Sequence, residues 1–125
     1  MTTCHPGKRV LLIDDNIVTQ EMMSMALAAG GYRVATASNG ADALERLRDY
    51  ERPSLILLDL SMPVMDGCAF CRQRQQDQAL AAIPIVVLSA AGDVAEQASS
   101  LGAKTFLRKP VDLIDLLDAV RRHCL

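Results

Sequence analysis

Apolar and polar residues fall into blocks along this 125-residue chain, and the blocks alternate between two kinds. Five are short: Arg9-Val10-Leu11-Leu12-Ile13, Tyr32-Arg33-Val34-Ala35-Thr36-Ala37, Leu55-Ile56-Leu57-Leu58, Ile83-Pro84-Ile85-Val86-Val87-Leu88 and Lys104-Thr105-Phe106-Leu107-Arg108. Runs of this length predict strands, and uninterrupted apolar ones predict strands covered on both faces, as in a parallel sheet. The second run alternates, which predicts a more exposed strand at a sheet edge. Pro84 falls among the first residues of its run, where a missing N–H donor is tolerated.

The stretches between these runs carry helical spacing. Val18, Met22, Met25, Ala26 and Ala29 predict a first helix, stopped by Gly30-Gly31, because glycine accepts a left-handed C-terminal conformation. Asn39-Gly40 is a turn, and Ala43, Leu44 and Leu47 mark a second helix running to about Tyr50 and ended by Arg52-Pro53. A third starts after Asp66-Gly67, carries Cys68, Phe70 and Cys71, and trails into a polar tail from Arg72 to Gln78. A fourth, over residues 94–101, is polar and weakly patterned, and Gly102 closes it. Asp112 can cap the last helix, where Leu113, Leu116, Leu117 and Val120 share one face and Arg121 and Arg122 suit the negative end of the dipole. Five strand–helix units in alternation predict an α/β domain with a parallel sheet, helices on both faces and right-handed crossovers. Residues 1–8, with Pro6-Gly7, are expected to be a flexible N-terminal segment, and 9–125 the domain itself.

Composition narrows this further. Half the residues are apolar but only 3% are aromatic, so the core must be aliphatic. A net charge of −2 with scattered basic residues argues against direct nucleic-acid binding or an anionic membrane surface. No apolar run approaches the ~20 residues that span a bilayer, and the N-terminus lacks a signal-peptide core. A cytoplasmic protein with reduced thiols is the expectation.

The third run delivers an acid, Asp59, to its C-terminal end. Met62-Pro63 then breaks the ladder and Asp66-Gly67 turns the chain. Singly, Asp59 reads as a turn residue, Asp14-Asp15-Asn16 as a helix cap, Ser89 as a turn serine and Lys109 as a solvated lysine. In a parallel sheet, however, strands 1, 3, 4 and 5 all end on one edge, the edge where such sheets bind ligands. Three acids, a hydroxyl and an amine then converge. Three crowded carboxylates call for a cation, and Mg²⁺ takes one or two carboxylates while leaving room for phosphate oxygens. An ionised Asp beside it can attack phosphorus, with Lys109 as a point charge and Ser89 as a donor for the phosphoryl oxygens.

On these residues the chain resembles the receiver (CheY-like) domain of two-component response regulators. The resemblance rests on Leu12-Ile13-Asp14-Asp15-Asn16, on the stretch from Leu58-Asp59-Leu60-Ser61-Met62-Pro63 through Val64-Met65-Asp66-Gly67, on Leu88-Ser89-Ala90, and on Phe106-Leu107-Arg108-Lys109-Pro110, and it extends from Arg9 to the end of the last helix. It implies a flavodoxin-like (βα)5 fold with strand order 2-1-3-4-5. It implies that Asp59 accepts a phosphoryl group from a histidine kinase or histidine phosphotransfer protein. Mg²⁺ would be held by Asp15, Asp59 and the Ser61 carbonyl directly, and by Asp14 through water. Ser89 and Lys109 would hold the phosphoryl group, and Ala90 would leave it room. Ser61 and Ala91 would tune dephosphorylation, the Lys109-Pro110 peptide would be cis, and Ser89 with Phe106 would switch the surface of the 94–101 helix, the fifth strand and the last helix. Homodimerisation through that surface is compatible with the family, and the effector or output domain is not named by the sequence. Ser89 stands where Thr is commoner.

Other readings fare worse. A haloacid-dehalogenase-type phosphatase also uses a strand-end Asp, but wants a second acid two positions on, where this chain has Ser61. A dinucleotide site needs a Gly-rich turn after strand 1, and Asp14-Asp15-Asn16 has none. A binding module without phosphorylation would not need the full acid set. Cys68-Ala69-Phe70-Cys71 could be a redox pair or half a zinc site, with Cys4-His5 and His123-Cys124 as further ligands. The i, i+3 spacing on an apolar helix face fits core packing better.

Overall fold

Alternation along β1 (Arg9–Ile13) sends Leu11 and Ile13 to one face of a sheet and Val10 and Leu12 to the other, and both pairs are buried. The same division holds in β3 (Leu55–Asp59) and β4 (Ile85–Ser89), where every residue is buried. Two aliphatic cores result, one on each face. A computed structural model of the chain describes residues 8–49, 52–60, 67–89, 99 and 101–124. Its order is β1, α1 (Ile17–Ala29), β2 (Arg33–Ala37), α2 (Gly40–Asp49), β3, α3 (Gly67–Gln75), α4 (Gln78–Ala81), β4, β5 (Thr105–Arg108) and α5 (Leu113–His123). The five strands are parallel in the order β2-β1-β3-β4-β5. The alternating run 32–37 is thus an edge strand, as expected. The expected helix over 94–101 and the expected loose segment 1–8 lie outside the described residues, apart from Lys8, Ser99 and Leu101. No helix among the described residues is long and apolar enough to cross a membrane.

Residues of α2 and α3, with Phe70 and Cys71 fully buried, cover the face that holds Ile56, Leu58 and Val87. Cys71 is a core residue, in line with the packing reading of the C-x-x-C pair, and the side chain of Cys68 lies outside the described residues. On the opposite face, Met23 and Leu27 of α1 and Leu116 and Val120 of α5 pack against Leu12, Leu57 and Leu88.

Four details depart from the sequence reading. In α1 the buried pair is Met23 and Leu27, whereas Val18, Met22 and Met25 are 65%, 54% and 73% exposed. Apolar residues surround this helix, so the periodicity fits more than one stripe. A choice one position off turns the stripe by about 100°, one residue's share of a 3.6-residue turn. In α5 Leu113 is exposed and Ala119 is buried in its place. Third, Asn39 is more than a turn: its Oδ1 accepts the Asp42 N–H at 2.8 Å, and Asp42 accepts from Ser38 N–H at 3.3 Å, capping α2. The polar tail after α3 is likewise not all solvated. Asp77 caps the short α4, and the buried Arg74 donates to the carbonyls of Ala81 and Ile83 at 2.8 and 2.5 Å, fixing the entry into β4.

Candidate functional site

The C-terminal ends of β1, β3, β4 and β5 open onto one edge of the sheet. Asp14 follows β1 directly and is fully buried; its N–H continues the ladder to the Ala37 carbonyl at 3.1 Å. Its Oδ1 accepts the Asn16 N–H at 2.9 Å, a local bond that turns the chain. Asn16 then caps α1, accepting the Thr19 N–H at 2.9 Å. Between them Asp15 points its exposed side chain away from the core. Asp59 is the last residue of β3 and is 3% exposed.

Lys109 reaches this pair from the far edge. Its backbone N–H donates to the Ser89 carbonyl at 3.1 Å, extending the β4–β5 ladder by one residue, and the Lys109–Pro110 peptide is cis. The amine lies 3.0 Å from Asp14 Oδ2 and 3.2 Å from Asp59 Oδ2, bridging the two buried carboxylates. Burial alone would pull the lysine pKa down. The hydrogen bond to Asp14 and the charges of Asp59 and Asp14 outweigh that, so the amine titrates above its ordinary value.

Asp14, Asp15 and Asp59 each place a carboxylate oxygen within 4.8 Å of the others. One lysine faces three acids at this edge, two of them buried and Asp15 exposed. That donor set, all oxygen and part buried, fits a hard divalent cation of the Mg²⁺ kind. Asp14, Asp15, Asp59 and Lys109 are therefore brought together as the sequence reading expected. Ser61, Ala90 and Ala91 lie outside the described residues.

Ser89 ends β4, 3% exposed, and shares the alternation of Ile85 and Val87, on the α2–α3 face. Phe106 of β5 stands opposite Val87 and packs half-buried against the same core. The two expected switch residues thus share a face of neighbouring strands. Sequence reasoning missed two residues here. Arg108 holds its guanidinium over the Phe106 ring at 5.9 Å. Gln20 of α1 reaches back to the carbonyls of Asp14 and Ala37 at 2.6 and 3.1 Å. Nothing in the sequence singles Gln20 out, since Thr19, Glu21 and Ser24 are polar positions of the same helix. Beside Lys109, a cleft of about 170 Å³ opens between Met22 and Met23 of α1 and Pro110, Val111 and Leu113.

A model of the response regulator receiver domain family matches residues 10–121. The transcriptional regulatory protein GltR of Pseudomonas aeruginosa is 35% identical over 117 residues, 92% of this chain but 48% of GltR. The chain spans about half the length of the curated relatives it matches. A response regulator receiver protein from Pseudomonas putida superposes with a TM-score of 0.85 at 32% identity, covering 95% of this chain and 99% of that one. The chemotaxis response regulator CheY4 of Vibrio cholerae gives 0.85 at 30% identity over 93% and 98%.

Proposed function

The chain belongs to the response regulator receiver domain family, and on that premise we propose that it is the phosphoacceptor of a two-component phosphorelay, with Asp59 as the residue modified. The observation that carries this reading is the Lys109 amine set between Asp14 and Asp59 with Asp15 at their side. A carboxylate there is oriented by the amine, and the same cation stands ready for the incoming phosphoryl oxygens. An Asp59 oxygen bonds to phosphorus as the P–N bond of a phosphohistidine donor breaks, its electron pair staying on the imidazole nitrogen. Lys109 and the Ser89 hydroxyl then hold phosphoryl oxygens. Asp14, Asp15, Asp59 and the Ser61 carbonyl would hold Mg²⁺, which offsets the charge gathered at the edge. Water later hydrolyses the acyl phosphate and restores Asp59. The domain acts on itself alone in this scheme, as a signalling domain rather than an enzyme with a free substrate.

The donor is a histidine kinase or a histidine phosphotransfer protein, a partnership that goes with a cytoplasmic location. Exposed Ile17, Val18, Met22 and Met25 on α1, with Leu113 and Ile114 at the start of α5, flank the site and supply an apolar landing for that protein. The signal leaves through Ser89 and Phe106 to the surface of residues 94–101, β5 and α5, which an output domain, an effector or a second copy would read. Intact mass after incubation with a small acyl phosphate and Mg²⁺ tests the assignment. The parent should gain one phosphoryl group and Asp59→Ala none; a phosphorylated Asp59→Ala would overturn it.

A further inference from the structure

The two acids that follow β1 are adjacent in sequence yet differ in surroundings. Asp14 is wholly buried and Asp15 exposed. For both to aim an oxygen at one point, the peptide joining them must be held at a set angle. The bonds on either side of that peptide are an inter-strand one, the Asp14 N–H to the Ala37 carbonyl, and a local one, the Asn16 N–H to the Asp14 carboxylate. The joining peptide's own carbonyl, that of Asp14, accepts from Gln20 Nε2 at 2.6 Å. The same NH₂ group donates at 3.1 Å to the Ala37 carbonyl. Both partners are carbonyl oxygens, so the two amide protons are both used and the amide has one orientation. The helix backbone fixes Gln20 from below, its N–H donating to the Asn16 carbonyl at 2.9 Å. The clamp thus ties three elements, α1 and the ends of β1 and β2, to the peptide plane from which Asp15 departs.

We propose that Gln20 is a positioning residue for the divalent-cation site, setting Asp15 relative to Asp14 and Asp59 by holding the Asp14–Asp15 peptide. It rests on the Mg²⁺ reading above. Groups that orient ligands in this way typically change metal affinity by about 10–100-fold when removed. Gln20→Met keeps the length and shape of the side chain and loses both donors. Gln20→Glu keeps the shape, loses the donors and adds a negative charge.

Mg²⁺ alone is titrated into the parent and both variants by calorimetry, and each variant's Tm is recorded in chelator. The parent should bind, Gln20→Met should raise the Kd roughly 10-fold, and Gln20→Glu should bind no better than Gln20→Met. A Gln20→Met protein with a lower Tm and an unchanged Kd would reduce Gln20 to a structural residue and overturn the proposal. A Gln20→Glu protein that binds more tightly than the parent would mean that charge, not position, governs the site, and would overturn it too. Were the parent and Asp15→Ala alike unable to bind Mg²⁺, the functional reading would fall first, and this inference with it.

Discussion

β3 and β5 both carry residues of the proposed switch, and they are built in opposite ways. β3 lies between β1 and β4, and all five of its residues are buried. β5 is an edge strand with one neighbour, three half-buried residues and an exposed Arg108. β3 cannot shift without disturbing a core on each face, because its side chains alternate between the two. A half-buried ring on β5 has less packing to disturb than a side chain on β3. The proposed acceptor Asp59 sits on the strand buried on both faces, and the proposed read-out residue Phe106 on the half-buried edge strand. On the proposed reading, a phosphoryl group on Asp59 changes charge at a fixed point, and motion is left to the edge.

Equivalent truncations on the two strands measure that contrast. Leu57→Ala removes a side chain with no exposed surface and should cost about 2–5 kcal/mol. Leu107→Ala, half-buried on β5, should cost roughly 1–2 kcal/mol by its smaller buried area. Urea midpoints of the two variants give both values. Equal losses would mean that β5 is as tightly held as β3, and the division of labour would collapse.

Lys109 links the two regions, because it leaves β5 to reach Asp14 and Asp59. Lys109→Met leaves those carboxylates facing each other without a cation and should destabilise the Mg²⁺-free protein by about 1–3 kcal/mol, less than for a wholly buried pair because the amine is partly exposed. Mg²⁺ should then stabilise the variant more than the parent. A variant as stable as the parent in chelator would show that the bridge does not hold the two strand ends together.

The same bridge has a pH signature of known sign. The folded-state pKa of Lys109 is raised, so its contribution is fully present below the unfolded lysine value of about 10.4 and is lost as pH rises through the higher folded value. The stability gap between parent and Lys109→Met should stay flat from about pH 6 to 9 and begin to narrow only above about 10.4. A gap that closes near neutrality would assign the stabilisation to another group.

The strands and the strand-end chemistry were legible because both are local. An apolar run names its strand, and a polar residue at its end names the edge, so the sequence alone brings Asp14, Asp59, Ser89 and Lys109 to one edge. What escaped depends on partners distant in sequence or on an ambiguous pattern. α1 is apolar on every side, so its spacing could not single out Met23 and Leu27. Arg74 reads as one more polar tail residue until the carbonyls of Ala81 and Ile83 are seen beside it. Gln20 is a plain helix residue until β2 brings the Ala37 carbonyl next to that of Asp14. α4, four residues long, is too short to show a period.

The smallest expected effect on stability is the sharpest test of the contrast. Ser89 and Phe106 share the α2–α3 face, with Phe106 set opposite Val87, two residues before Ser89. A phosphoryl group on Asp59 offers new acceptor oxygens one strand away. If the Ser89 hydroxyl turns toward them, the space it leaves is on the side where Phe106 can enter. The ring has no hydroxyl, so burial of its apolar surface must drive the move, and Arg108 must give up its place over the ring. Ser89→Ala should therefore change folding stability by no more than about 1 kcal/mol. It should still take up phosphate on Asp59, more slowly, because one donor to the phosphoryl oxygens is gone. The amide shifts of β5 and α5 on phosphorylation, large in the parent, should shrink to those of residues that merely sense the new charge. A Ser89→Ala protein whose β5 and α5 respond as fully as the parent's would show that the edge strand is moved from Asp59 by some route other than Ser89.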